Sequence, residues 1–249
     1  IYLHIIYSPT LGEIITTNQK RARAHKKTNA YNFRKHFDEK GISMHLYTFD
    51  TAPNPKRLYY FLKFKEVEIK TTQVDLVKKE NLKDSYLKVN QFGTVPALVL
   101  EDGTVMTEVI GICSYLEALY TEKPLLGGSS LEKAEILSWD HYIFNNLLLP
   151  TAEIFRNSHP AFKNRALPGP KPVAQIPELI ERGENKLSET WKIIEARLSS
   201  KDFIASKHFS LADIDLLVCI DFLVWALNRS TPKELSAIQK WSERVKTLI

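Results

Sequence analysis

Ser210-Leu211-Ala212-Asp213 opens a run, Ile214 to Leu227, that is apolar on nearly every side of a helix, and this run limits the possible folds more than any other feature. The Ser210 hydroxyl and the carboxylate three residues on spell a capping box. Phe209 and Ile214 take the hydrophobic-staple positions on either side of it. A helix that is apolar all round has to be covered all round, so the run predicts the central helix of a helical domain. Asp215 and Asp221 interrupt it, and no stretch reaches the ~20 apolar residues of a membrane span.

The rest of the C-terminal half agrees. Helical spacing is read over 131–156 and, beyond a loop carrying Pro160, Pro168, Pro170 and Pro172, over 176–198. A second capping box, Thr231-Pro232-Lys233-Glu234, is expected to open the last helical part. Residues 44–121 follow another pattern. A strand over 44–49 leads through a turn to Asn54, read as an N-cap with Pro55 at the first helical position. A strand over 67–74, a short helix near 82–88, a hairpin turned at Asp102-Gly103 and a helix over 108–120 complete it. The punctuated stretch from Lys123 to Ser130 separates the two patterns. The expected architecture is a small α/β domain, 44–121, followed by an all-α helical domain, 130–249.

Composition removes other classes. At 44% hydrophobic the chain is too apolar to be disordered, and its nine glycines and two cysteines rule out collagen and disulfide scaffolds. Cys113 and Cys219 lie among apolar neighbours without zinc or dithiol spacing, which points to core packing, a reducing cytoplasmic compartment and no metal. No histidine pair has metal spacing, and no Gly-x-Gly-x-x-Gly or Gly-Lys-Ser/Thr loop is present to cradle a nucleotide. Residues 1–43 hold eight Lys and Arg against three Asp and Glu, which accounts for the whole net charge of +5. They lack steady apolar spacing and are expected to be a non-native or disordered leader. A targeting tail and a basic arm for anionic partners are the alternatives. The balanced remainder gives no nucleic-acid footprint and no membrane partner.

Several pieces of the α/β half could serve a ligand together. Two helix starts, at Asn54 and at Glu108-Val109, offer free backbone N–H groups and positive dipole ends, hence anion sites. Val95-Pro96 stands at the entry of a buried strand. Asn90-Gln91-Phe92-Gly93-Thr94-Val95-Pro96-Ala97-Leu98 and Thr107-Glu108-Val109-Ile110-Gly111-Ile112-Cys113-Ser114-Tyr115-Leu116-Glu117 resemble two motifs of the glutathione transferase family. Pro53-Asn54-Pro55-Lys56-Arg57, Asp75-Leu76-Val77-Lys78-Lys79-Glu80-Asn81 and Phe209-Ser210-Leu211-Ala212-Asp213-Ile214 are similar to three more, of the bacterial and plant-like type. They stand in the family's order, and the resemblance covers essentially all of residues 44–249.

The resemblance implies a thioredoxin-like N-terminal domain with a helical C-terminal domain, a homodimer, and glutathione as co-substrate beside a small electrophile. It implies a cis bond before Pro96, so that the backbone of Val95 meets the cysteinyl part of glutathione. Glu108 and the backbone of Val109 would hold the γ-glutamyl end, and Asn81 or Lys83 the glycyl end. The family's serine or threonine directly before Pro-Asn is Ala52 here, so Asn54, with Thr51 as the displaced hydroxyl, is left to serve the thiolate; Tyr47 is the weaker substitute. Val109 likewise stands where the family offers serine. Lowering a thiol of pKa near 8.5 by about two units takes ~2.7 kcal/mol, which one amide donor and a helix N-terminus can supply. Tyr142, Asn145 and Phe155 are candidate walls for the electrophile. A non-catalytic relative serving protein partners is the other reading, and Ala52 favours it.

Overall fold

A computed structural model describes residues 42–249, which fall within one compact unit. Apart from Ile42 and Ser43, the expected leader lies outside the described residues. The first half runs β1 (Met44–Thr48), α1 (Pro53–Lys65), β2 (Lys70–Gln73), a 3-10 turn (Glu80–Leu82), the short α2 (Asp84–Leu87), β3 (Ala97–Leu100), β4 (Val105–Met106) and α3 (Val109–Leu119). The strands form one sheet in the order β2-β1-β3-β4, parallel between β1 and β2 and antiparallel elsewhere. β1 is central and largely buried, whereas β2, Lys-Thr-Thr-Gln, is exposed along its length, as suits an edge strand. Gly103, at φ +86°, makes the hairpin turn read from Asp-Gly. α1 and α3 bury Leu58, Phe61, Ile112, Cys113 and Leu116 in the core.

His45 on β1 is buried and bonds Thr72 on β2 through Nε2 at 2.8 Å. Burial first, and the Lys70 ammonium second, hold its pKa below the ordinary 6.5. The unfolded chain therefore takes up this proton more readily than the folded one. The stability that His45 confers above pH 6.5 is lost as the pH falls below it. The urea midpoint should drop between pH 7 and pH 5, and His45→Gln should flatten that drop.

The second half is helical: α4 (Ser130–Ile143), a π turn (Phe144–Leu148), α5 (Leu149–Ser158), a 3-10 turn (Pro160–Phe162), α6 (Glu178–Leu198), α7 (Leu211–Leu227) and α8 (Ser236–Lys246). α7 is the central helix, buried from Leu211 through Ile220. Its Asp213 carboxylate accepts from Ser210 N–H and O–H, from Ile204 N–H and from the Trp241 indole N–H, so the capping box also ties down α8.

Two expectations are corrected. The single helix over 131–156 is broken by the π turn, because Pro150 has no N–H to give and its ring crowds the carbonyl of Asn146. Leu149 N–H reaches back to Phe144 O instead. The second capping box at Thr231 opens no helix: α8 begins at Ser236 with Leu235 at its cap. The free N–H groups of Ala237 and Ile238 are taken by the Glu195 carboxylate of α6, at 2.9 and 3.0 Å. A cap supplied from another helix leaves no local signature.

Residues 120–129, between α3 and α4, hold no helix or strand. The buried Lys65 ammonium donates to the carbonyls of Tyr120, Glu122 and Lys123 and sits 2.7 Å from Glu117 Oε2. Glu117 Oε1 accepts from Leu125 and Leu126 N–H.

Candidate active site

The strand register gathers the candidate residues at one end of the sheet. β1 pairs with β3 through Tyr47 and Ala97, and β3 with β4 through Leu98 and Met106. Continued by two residues, that register sets Pro96 opposite Glu108; continued by one, it sets Pro96 opposite Thr48. The turn leaving β1, the entry to β3 and the start of α3 therefore lie at the same end of the sheet.

The turn is held by Ala52 N–H to Phe49 O at 2.8 Å. Ala52, not Asn54, is the N-cap of α1, with φ −79° and ψ 147°, and no side chain caps the helix. The reason is Pro53. A proline disfavours helical backbone in the residue before it and is pre-set for the first helical position, so the helix starts two residues ahead of Asn54's expected place. The two prolines then strip the first turn of backbone donors. Between them only Asn54 carries an N–H. Its side-chain Oδ1 accepts from Arg57 Nη1 at 3.2 Å, and since a guanidinium only donates, the amide's NH2 group is turned away from Arg57. Thr51 is exposed on the turn. Tyr47 packs edge-on against Tyr86, ring centroids 5.9 Å apart, which suits a structural role.

The loop before Pro96 is built from side chains. Asn90 Oδ1 accepts from Phe92 N–H, and its Nδ2 donates to Thr94 O and Oγ1. Tyr86 O–H donates to Thr94 O at 2.5 Å, and its pKa is pushed up to about 12, by burial before all else. Gly93 takes φ +61°, and a Cβ there would come within 3.2 Å of Asn81 O. Asn81 is buried and gives its amide to Gly93 O at 2.8 Å, so it shapes this loop. Lys83 is exposed, 3.7 Å from Glu80.

The Val95–Pro96 bond is cis, as the family resemblance implies. Val95 is 9% exposed, yet its backbone N–H and C=O make no hydrogen bond among the described residues. Buried backbone groups are nearly always paired, and this pair is an exception among the described residues. Across from it, Glu108 caps α3 in extended backbone with its carboxylate exposed. Val109 turns its side chain into the core and offers only its N–H, one of the donors a helix start leaves free.

Sequence reasoning missed what stands behind Asn54. Arg57 is buried and gives Nε and Nη2 to Asp215 of α7 at 2.6 and 2.7 Å, and Nη2 also to Asp140 of α4 at 2.8 Å. Burial works against its charge, but the Asp215 and Asp140 carboxylates outweigh this and raise its pKa. The signal was an aspartate within an otherwise apolar helix, which needs a buried cation as partner. Of the candidate walls, Tyr142 packs on Trp139, and Asn145 bonds the His141 ring at 2.8 Å. Phe155 joins Phe162, Phe222 and the 64%-exposed Trp225 in an aromatic cluster, and Trp225 was not foreseen. Among the described residues no His, Cys, Asp and Glu group is set to hold a metal, and no helix is long and apolar enough to cross a membrane.

Residues 51–119 match the family model of the glutathione S-transferase N-terminal domain, and residues 154–248 that of the C-terminal domain. Glutathione S-transferase 2 of Saccharomyces cerevisiae is 28% identical over 205 residues, 81% of this chain and 85% of that protein. Glutathione S-transferase F10 of Arabidopsis thaliana is 26% identical over 196 residues, 76% of this chain and 86% of that protein. Among solved structures, Gtt2 from Saccharomyces cerevisiae superposes with a TM-score of 0.72 at 27% identity, covering 82% of this chain and all of its own.

Proposed function

The chain belongs to the glutathione S-transferase family, and from that premise we propose that it binds glutathione at the sheet end described above and activates its thiol. The thiolate then attacks an electrophilic, largely apolar co-substrate, or reduces a peroxide or mixed disulfide. The observation that carries this reading is the buried, unpaired backbone of Val95, which can bond the cysteinyl residue as one more strand would. Glu108 takes the γ-glutamyl ammonium, and Val109 N–H with the α3 dipole takes its carboxylate. Lys83 serves the glycyl carboxylate, while Asn81 acts indirectly by holding the loop that delivers Val95. The sulfur lies at the start of α1, where Asn54 offers its backbone N–H and its side-chain NH2. In conjugation the thiolate forms the S–C bond and the electrophile's leaving group departs with the electron pair. Phe155 and Trp225 are apolar surface for the co-substrate. A homodimer in a reducing, cytoplasmic compartment goes with this reading; both cysteines are free and buried.

The second reading, a non-catalytic relative working through protein partners, draws on Ala52, which has no hydroxyl to give. Following the ultraviolet thiolate band of glutathione across pH in the presence of the protein separates them. A saturable thiolate signal at pH 7 is expected, and its absence would favour the second reading. Glu108→Gln keeps a hydrogen bond but removes its charge, worth about 1 kcal/mol, so glutathione affinity by calorimetry should fall roughly fivefold.

A further inference from the structure

Arg57 is spent in three directions. Its Nε–Nη2 edge lies flat on the Asp215 carboxylate, Nη2 also reaches Asp140, and Nη1 reaches Asn54 Oδ1. A guanidinium is planar, so the two bonds to Asp215 fix the plane in which Nη1 points. The Phe144 ring, 5.7 Å from the guanidinium carbon, closes in on it from the π turn. Asp215 is 1% exposed and Asp140 6%, on two helices of the second half, 158 and 83 residues from Arg57. The orientation of the Asn54 amide, and hence the direction of its NH2 donors, is set by groups in the helical part of the chain.

We propose that Arg57 is the positioning residue for the thiolate donor, and that Asp215 and Asp140 aim Arg57, so that α4 and α7 govern the acidity of a thiol bound in the α/β half. This rests on the reading of Asn54 as the donor to the glutathione sulfur. Asp140 and Asp215 touch no reacting atom; they work through geometry. Their negative charges, acting alone, would make the thiol harder to ionise, and this opposite sign makes the proposal testable.

The test compares native protein, Arg57→Lys, Asp140→Asn, Asn54→Ala and the Arg57→Lys/Asn54→Ala pair. The readouts are the apparent thiol pKa of bound glutathione from its ultraviolet band, and kcat and KM with 1-chloro-2,4-dinitrobenzene as the electrophile. Arg57→Lys keeps the cation without the planar fork. It should raise the thiol pKa by about one unit and lower kcat roughly tenfold, with KM for glutathione within twofold. Adding it to Asn54→Ala should cost less than a further twofold. Asp140→Asn should also raise the thiol pKa. A fall in that pKa would mean that only a negative charge had been removed, and would overturn the proposal, as would losses that multiply in the double variant. If Arg57→Lys does not fold, the sign in Asp140→Asn decides alone. Absence of a thiolate band in the native protein would instead overturn the functional reading. The 15N order parameter of the Asn54 side-chain amide then judges the positioning by itself: lower in Asp140→Asn than in native protein supports it, and no change overturns it.

Discussion

Replacing Arg57 by alanine should destabilise the protein by about 3–5 kcal/mol, the range for removing one partner of a buried ion pair. Asp215 and Asp140 are both buried, and among the described residues neither carboxylate pairs with a cation other than the Arg57 guanidinium. They must then be held charged at a large desolvation cost or take up protons on folding. The second route makes the loss pH-dependent. Carboxyls that are neutral when folded and ionised when unfolded favour the folded state at low pH, so the Arg57→Ala deficit should shrink as the pH falls from 7 toward the ordinary carboxylate range. Guanidinium-chloride unfolding of native and variant protein at pH 7 and pH 5 measures both effects. Replacing Arg57 and Asp215 together by apolar residues of similar size should recover part of the loss, since the cost lies in stranding a charge more than in lacking the pair. A pH-7 deficit under 1 kcal/mol would mean that water reaches the cluster, against the burial of all three residues.

Asn54→Ala should cost function without costing fold. A hydrogen bond to a charged group is worth about 1.5–3 kcal/mol, so loss of the side-chain donor should raise the pKa of bound glutathione by one to two units and lower kcat/KM at pH 7 roughly 10- to 100-fold. The backbone N–H of residue 54 and the α1 dipole persist in the variant, which is why some thiolate should survive above pH 8. Asn54 is half-buried and, among the described residues, its side chain bonds only to Arg57, so its removal should move the unfolding midpoint little. Asn54→Asp should be worse than alanine for the thiolate, because it sets a carboxylate beside the sulfur. An unchanged thiol pKa in Asn54→Ala would pass the work to the helix start alone.

Part of this site was legible because its chemistry is local. The Glu108-Val109 helix start and the Asp-Gly hairpin state their backbone in a few consecutive residues, and the structure gives each that backbone, while the cis bond before Pro96 followed from the family resemblance. The N-cap of α1 was misplaced because two prolines compete for the first helical position, and the nearer one to β1 takes it. Non-local features were beyond reach. Asp215 could be read as a charge in need of a partner, but nothing in the sequence says that the partner is Arg57. The Glu195 cap of α8 is of the same kind: a carboxylate serving a helix more than forty residues away leaves no trace at either end. The break at Pro150 could have been anticipated from proline's missing donor alone.

The segment between α3 and α4 bears on how molecules enter and leave. Its carbonyls are gathered by one buried ammonium and two of its N–H groups by one carboxylate, all from α1 and α3. Such a joint has no slack about which the halves could swing, and the Arg57 cluster pins them a second time, nearer the start of α1. Exchange of molecules at the sheet end then falls to rotamers and loop backbone, motions of picoseconds to microseconds, leaving the slower millisecond rocking of hinged enzymes without a pivot here.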